Sequence, residues 1–143
     1  MVTVAAVEKL LGGLGKPPRG ANRDLALARA VRDGLPYATL ERLIADGIVD
    51  DREVETYFIA RRTLYVRRHK ATLSREQSDI VVRLARIQAI ADNVFGQRDD
   101  AHAWLRRANG ALGGQPPLAL LDTEEGGRLV EAVLGRIVHG IVE

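Results

Sequence analysis

The sequence predicts an all-α protein, a helical bundle. Three observations carry this: apolar residues recur at steps of three and four from Asn22 onward, no stretch alternates as a half-buried strand would, and Gln77 and Glu125 stand three positions after Ser74 and Asp122, as in helix-opening capping boxes. At 143 residues the chain can bury one good core, or two small modules that share one. Apolar residues make up 46% and charged residues 28%, the balance of a folded chain, and an aromatic content of 4% makes the core aliphatic.

Val2 to Leu11 is a short apolar segment that runs into GGLGKPPRG, where the glycines and Pro17-Pro18 stop any helix. Residues 1–21 therefore read as an N-terminal arm or accessory helix with a linker. Leu25, Ala28 and Val31 follow on helical spacing up to Gly34. Pro36 opens a second helix in which Leu40, Leu43 and Ile44 share a face, and Gly47 is placed as its stop. Asp50-Asp51 caps a short helix carrying Val54, Tyr57 and Phe58; after a break at Ile59-Ala60 the basic segment RRTLYVRRHK begins. Residues 74–95 form the clearest helix, with Ile80, Leu84, Ile87, Ala91 and Val94 on one stripe behind the Ser74–Gln77 box. A short helix is expected around Ala101–Arg107, closed by the glycine-rich NGALGG, and QPPLALL is expected to be extended or turn-like. The Asp122–Glu125 box opens a final helix whose apolar face holds Val130, Val133, Leu134, Ile137 and Ile141, packed with Trp104 and Leu105.

Charge divides the chain. Residues 1–72 carry 13 Lys/Arg against 9 Asp/Glu and residues 73–143 carry 8 against 10, so the first half is about +4 and the second about −2. The halves are expected to meet different partners, with a nucleic acid the candidate for the basic one. The absence of cysteine removes disulfides, thiolate metal sites and thiol nucleophiles, and the three histidines, His69, His102 and His139, lie far apart. GGLG follows no strand and so is no phosphate loop; Asp99-Asp100 beside His102 reads as an acidic helix start. No cofactor, metal site or catalytic constellation is expected, and the chain reads as a binding protein rather than an enzyme. No apolar run is long enough to cross a bilayer and the first residues lack a basic signal region, so a cytoplasmic protein without a membrane partner is expected.

At about 100° per residue, Arg61, Arg62, Tyr65, Arg68 and His69 share an arc of roughly 120°, and Lys70 adds a further cation at the end of the segment. The preceding short helix and tight break give the outline of a helix-turn-helix, whose second helix would present arginine forks to guanine edges or phosphates in a major groove. The usual turn chemistry is incomplete, because Phe58 stands where a glycine would ease the bend and Ala60 where a capping serine is expected. The competing reading is a solvated cationic face.

Taken together, RTLYVRR at 62–68, LSREQSD at 73–79, VFG at 94–96, WL at 104–105, NGALGGQPP at 109–117, LLDT at 120–123 and LGRIVHG at 134–140 resemble one family, the Xre/MbcA/ParS antitoxins that partner RES-domain toxins. The resemblance runs from about residue 22 to the end. It implies an Xre-like helix-turn-helix portion over 22–72 followed by a helical toxin-binding domain over 73–143. It further implies a toxin that consumes NAD or transfers its ADP-ribose, blocked when the antitoxin inserts its C-terminal segment into the active site, and repression of the operon through operator DNA. A homodimer within a toxin–antitoxin hetero-oligomer is the expected assembly.

The end of the chain fits that expectation. An apolar helix finishing on Gly140-Ile141-Val142-Glu143 suits a plug for a deep pocket, with Arg136, His139 and the terminal carboxylate as polar contacts and Arg128 and Glu131 at the rim. His139 departs from the family pattern, where tyrosine is common, so imidazole replaces a phenol ring. The alternative is a helix-turn-helix transcriptional regulator whose C-terminal domain serves dimerisation.

Overall fold

The structure, a computed structural model, describes residues 2–15, 20 and 22–140. The chain forms α1 (Val4–Leu10), α2 (Arg23–Asp33), α3 (Tyr37–Ala45), α4 (Asp51–Glu53), α5 (Arg61–Lys70), α6 (Arg75–Phe95), α7 (Arg98–Arg106) and α8 (Glu124–Val138), with no strand among the described residues. The all-α class therefore stands. Among those residues no helix is long and apolar enough to cross a membrane.

Helix α6 is the axis on which the rest is hung. Its start is fixed by the capping box, with Gln77 N–H donating to Ser74 Oγ at 3.1 Å and Ser74 N–H to Gln77 Oε1 at 2.9 Å. Gly96, left-handed at φ 76°, ends it. Leu84, Ile87 and Ala91 of the expected stripe are buried, but so are Ser78, Val81, Val82, Arg83, Ala85, Gln88 and Ala89. A helix buried on so much of its circumference needs partners around it, and α1, α2, α3, α7 and α8 all pack on it. The alanines let them approach closely.

The N-terminal segment is one of these partners. Thr3 caps α1 by accepting the Ala6 N–H at 3.2 Å, and Val7 and Leu11 are buried against α6 and α2. On α2 the expected stripe is rotated: Leu27 is buried, Ala30 and Val31 are partly so, and Leu25 points to solvent. Packing on α6, not spacing alone, selects that face.

Ser78 reaches out of α6 to accept the Leu35 N–H at 2.8 Å, and Leu73 N–H donates to Leu35 O at the same distance. The α2–α3 and α5–α6 loops are thus held together. Gly34 is required there, since its φ is 93° and a Cβ would overlap the Leu73 carbonyl oxygen. In α3, Leu40 and Leu43 are buried and Ile44 partly buried, as the spacing predicts.

Two boundaries differ from expectation. Helix α7 begins at Arg98 rather than near Ala101, with Asp99 and Asp100 in its first turn, where carboxylates suit the positive end of the helix dipole. The last helix is capped by Thr123, not Asp122: Thr123 Oγ1 accepts the Gly126 N–H at 3.0 Å. A Cβ on Gly126 would overlap the Leu120 carbonyl oxygen and one on Gly127 would lie 2.8 Å from Arg83 Cδ, so these two glycines let α8 start hard against its neighbours. Arg83, buried, holds the same junction by donating to Leu121 O at 2.9 Å.

Candidate functional site

The basic face is built by an unusual turn. Asp50 and Glu53 form a reciprocal capping box at α4, which passes directly into a π turn, Val54–Phe58, closed by Ile59 N–H donating to Val54 O at 2.9 Å. Ile59 is then extended at φ −141° and Ala60 starts α5 without a side-chain cap. The bend that lacks glycine is therefore made by widening the helix before it.

On α5, Arg61, Arg62, Tyr65, Arg68, His69 and Lys70 are all exposed, Tyr65 at 67%, while Thr63, Leu64 and Arg67 are partly covered. Tyr65 and His69 stack at 4.4 Å between ring centroids, and His69 Nδ1 lies 3.0 Å from Tyr65 O. The Arg68 guanidinium sits 5.6 Å over the Tyr37 ring, which fixes its direction from the buried side of α3. Arg61 keeps only a loose 3.9 Å contact with Glu55. The result is a cationic, aromatic-bearing helix face open to solvent.

The second surface is the distal part of α8. Val130, Val133 and Leu134 are buried, Ile137 is partly covered and Val138 is 60% exposed, so the apolar residues of one helix pass from core to surface. Of the residues expected to meet a toxin, Arg128 is exposed and tied to Glu124 at 3.6 Å and Glu125 at 3.8 Å. Glu131, His139 and Gly140 are exposed and Arg136 is half-buried. Ile141, Val142 and Glu143 lie outside the described residues. Sequence reasoning missed a groove of about 500 Å³ between α6 and α8, lined by Ile90, Val94, Leu134, Gly135 and Val138 and reached by Val2. A glycine in the middle of an amphipathic helix was the one available signal.

Arg106 of α7 links the second half of the chain to the first. Its Nε and Nη2 donate to Glu53 Oε2 and Oε1 at 2.8 and 2.9 Å, Nη2 also donates to Ile48 O at 3.0 Å, and Nη1 to His102 O at 3.1 Å. One guanidinium thus ties α4 to α7. His102 contributes only its carbonyl here. Among the described residues no three His, Asp or Glu side chains gather as a metal site would require.

Comparison with known proteins finds two matching domains. Residues 26–86 match the antitoxin Xre-like helix-turn-helix domain, and residues 91–140 match the antitoxin Xre/MbcA/ParS C-terminal toxin-binding domain. An antitoxin Xre of Pseudomonas putida is 30% identical over 118 residues, covering 82% of this chain and 74% of its own. One of Yersinia enterocolitica is 27% identical over 85% of this chain and 84% of its own, and one of Photorhabdus laumondii is 36% identical over 51% and 50%. None of these is an enzyme family. With a helix-turn-helix in its first half and a toxin-binding domain in its second, the chain belongs to the Xre-type antitoxins of the Xre/MbcA/ParS family.

Proposed function

We propose that this antitoxin silences a RES-domain toxin, an NAD-consuming or ADP-ribosyltransferase-like enzyme of the cytoplasm, by inserting the segment that follows α8 into the toxin active site. The observation that carries this is the division of α8: it is locked by Val130 and Leu134 in the core, while Val138 is largely exposed just before His139-Gly140 and the apolar Ile141-Val142 of the sequence. An anchored base with an apolar tip is what entry into a pocket needs. Arg136, His139 and the Glu143 carboxylate are the polar groups to meet the site that holds NAD phosphates and ribose, with Arg128 and Glu131 at the rim. The α5 face, through Arg61, Arg62, Tyr65, Arg68, His69 and Lys70, binds operator DNA and represses the operon. The antitoxin acts as a homodimer within a toxin–antitoxin hetero-oligomer.

The test is NAD consumption by the toxin encoded beside this gene, alone, with the full chain, and with a chain stopped after Gly140. The stopped chain keeps the whole of α8, so it folds and binds; it is expected to leave the toxin active. Equal silencing by both chains would show that inhibition comes from the docking surface and not from the end of the chain.

A further inference from the structure

Gly126 and Gly127 are demanded by close neighbours, but Gly135 is not: a Cβ there meets nothing within 4 Å. Glycine weakens a helix interior relative to alanine, so the fold alone gives no reason for it. What Gly135 does face is the groove of about 500 Å³ between α6 and α8. The two helices run in the same direction, since Gly127 meets Arg83 at one end while Val138 and Val94 line the groove near the other. The groove is apolar along Ile90 and Val138, with Arg86 on its α6 rim and Glu131 on its α8 rim, one charge of each sign. Its α8 wall lies within residues 91–140, the region matched to the toxin-binding domain, which makes a toxin the partner to consider for it. Val2, which also lines it, lies outside both matched regions.

We propose that this groove receives an aliphatic segment of the toxin that passes directly over Gly135, and that the N-terminal segment, through Val2 and the packing of α1, completes the site. This rests on residues 91–140 binding the toxin but not on the end of the chain entering an active site. A parallel pair of helices with a glycine-floored channel fits a helical or extended apolar segment laid between them, flanked by groups of both signs.

Three full-length proteins and the purified toxin test it. Gly135→Leu fills the channel with a side chain that has room in the free protein; it is expected to keep or raise the melting temperature and to weaken toxin binding about tenfold or more, with Gly135→Ala intermediate. Because the chain has no cysteine, Val138→Cys gives a single thiol, whose alkylation is expected to slow about tenfold or more in the complex. This readout decides the matter if Gly135→Leu proves unstable. A Gly135→Leu affinity within twofold of the parent, or equal alkylation of Val138→Cys free and bound, overturns the proposal. So does a thiol already shielded in the free chain and freed by stopping it after Gly140, because the groove would then hold the chain's own end. Loss of inhibition on stopping at Gly140, with Gly135→Leu binding normally, would sink the groove and leave the plug; the reverse pattern would do the opposite.

Discussion

Replacing Arg106 by alanine tests whether the two halves are energetically one. The guanidinium makes two charge-assisted bonds to Glu53, at 2.8 and 2.9 Å, and caps the Ile48 and His102 carbonyls at 3.0 and 3.1 Å. Breaking a buried ion pair by removing one partner costs about 3–5 kcal/mol, and exposed pairs are worth about 0–1. With side chains 21% and 17% exposed, this pair falls between those limits, and Arg106→Ala is expected to cost about 2–3 kcal/mol. Glu53 has a second duty, accepting the Asp50 N–H at 3.0 Å, so Glu53→Ala loses the cap as well. Glu53→Gln keeps a cap acceptor and one arginine bond, and is expected to cost about 1 kcal/mol. The assay is urea unfolding of the parent, both alanine variants and the double variant, at unchanged m-value. A coupling of about 1–2 kcal/mol is expected from the cycle. Costs that simply add, with coupling under about 0.5 kcal/mol, would refute the reasoning that this pair fastens α4 to α7.

Leu11→Ala removes a buried side chain at the end of α1 and is expected to destabilise the chain by about 2–4 kcal/mol in the same unfolding assay; a negligible change would mean α1 is not part of the core. Gly126→Ala drives a methyl into the Leu120 carbonyl and is expected to cost about 2 kcal/mol or more, whereas Gly135→Ala, with open space, is expected to gain about 0.5–1 kcal/mol, both read from thermal melts. Arg61→Ala and Arg68→Ala are each expected to weaken operator binding and to reduce the slope of log K against log salt by about 0.9; a salt-independent affinity would exclude α5 as the contact.

What was legible in the sequence was local. The Ser74–Gln77 box, the end of that helix at residue 95 and the Asp50 cap depend on residues within four positions, and each is where the pattern puts it. The start of α8 misled because Asp122 and Thr123 are both competent caps, and the choice is made by Gly126 fitting against the Leu120 carbonyl, a tertiary fact. Leu25 has the same spacing credentials as Leu27, but only contact with α6 decides which is covered. The burial of Arg83 and Gln88 in α6 had no signature at all: Arg83 satisfies Leu121 O, 38 residues away, and Gln88 finds Asp92 one turn on. At the candidate sites, the α5 face was visible because its contacts are sequential. The groove was not, because it is assembled from Val2, α6 and α8, and a cavity is a property of spacing between helices rather than along one.

Helix α6 contains neither glycine nor proline across its 21 residues. It begins four residues after the left-handed Ala71 that ends α5, and it carries the groove at Ile90 and Val94, 16 and 20 residues beyond its cap Ser74, or about 24–30 Å along the axis at 1.5 Å per residue. A continuous rod of that kind has no hinge, and the turn that leads into it from α5 is tied down by the Leu73 N–H on Leu35 O and the Leu35 N–H on Ser78 Oγ, so the groove lies at a set distance from the end of α5. If the proposed function holds, communication between the two ends is a matter of fit, in which a toxin docked at one end would clear or collide with what lies along DNA at the other, with no change of shape required of α6.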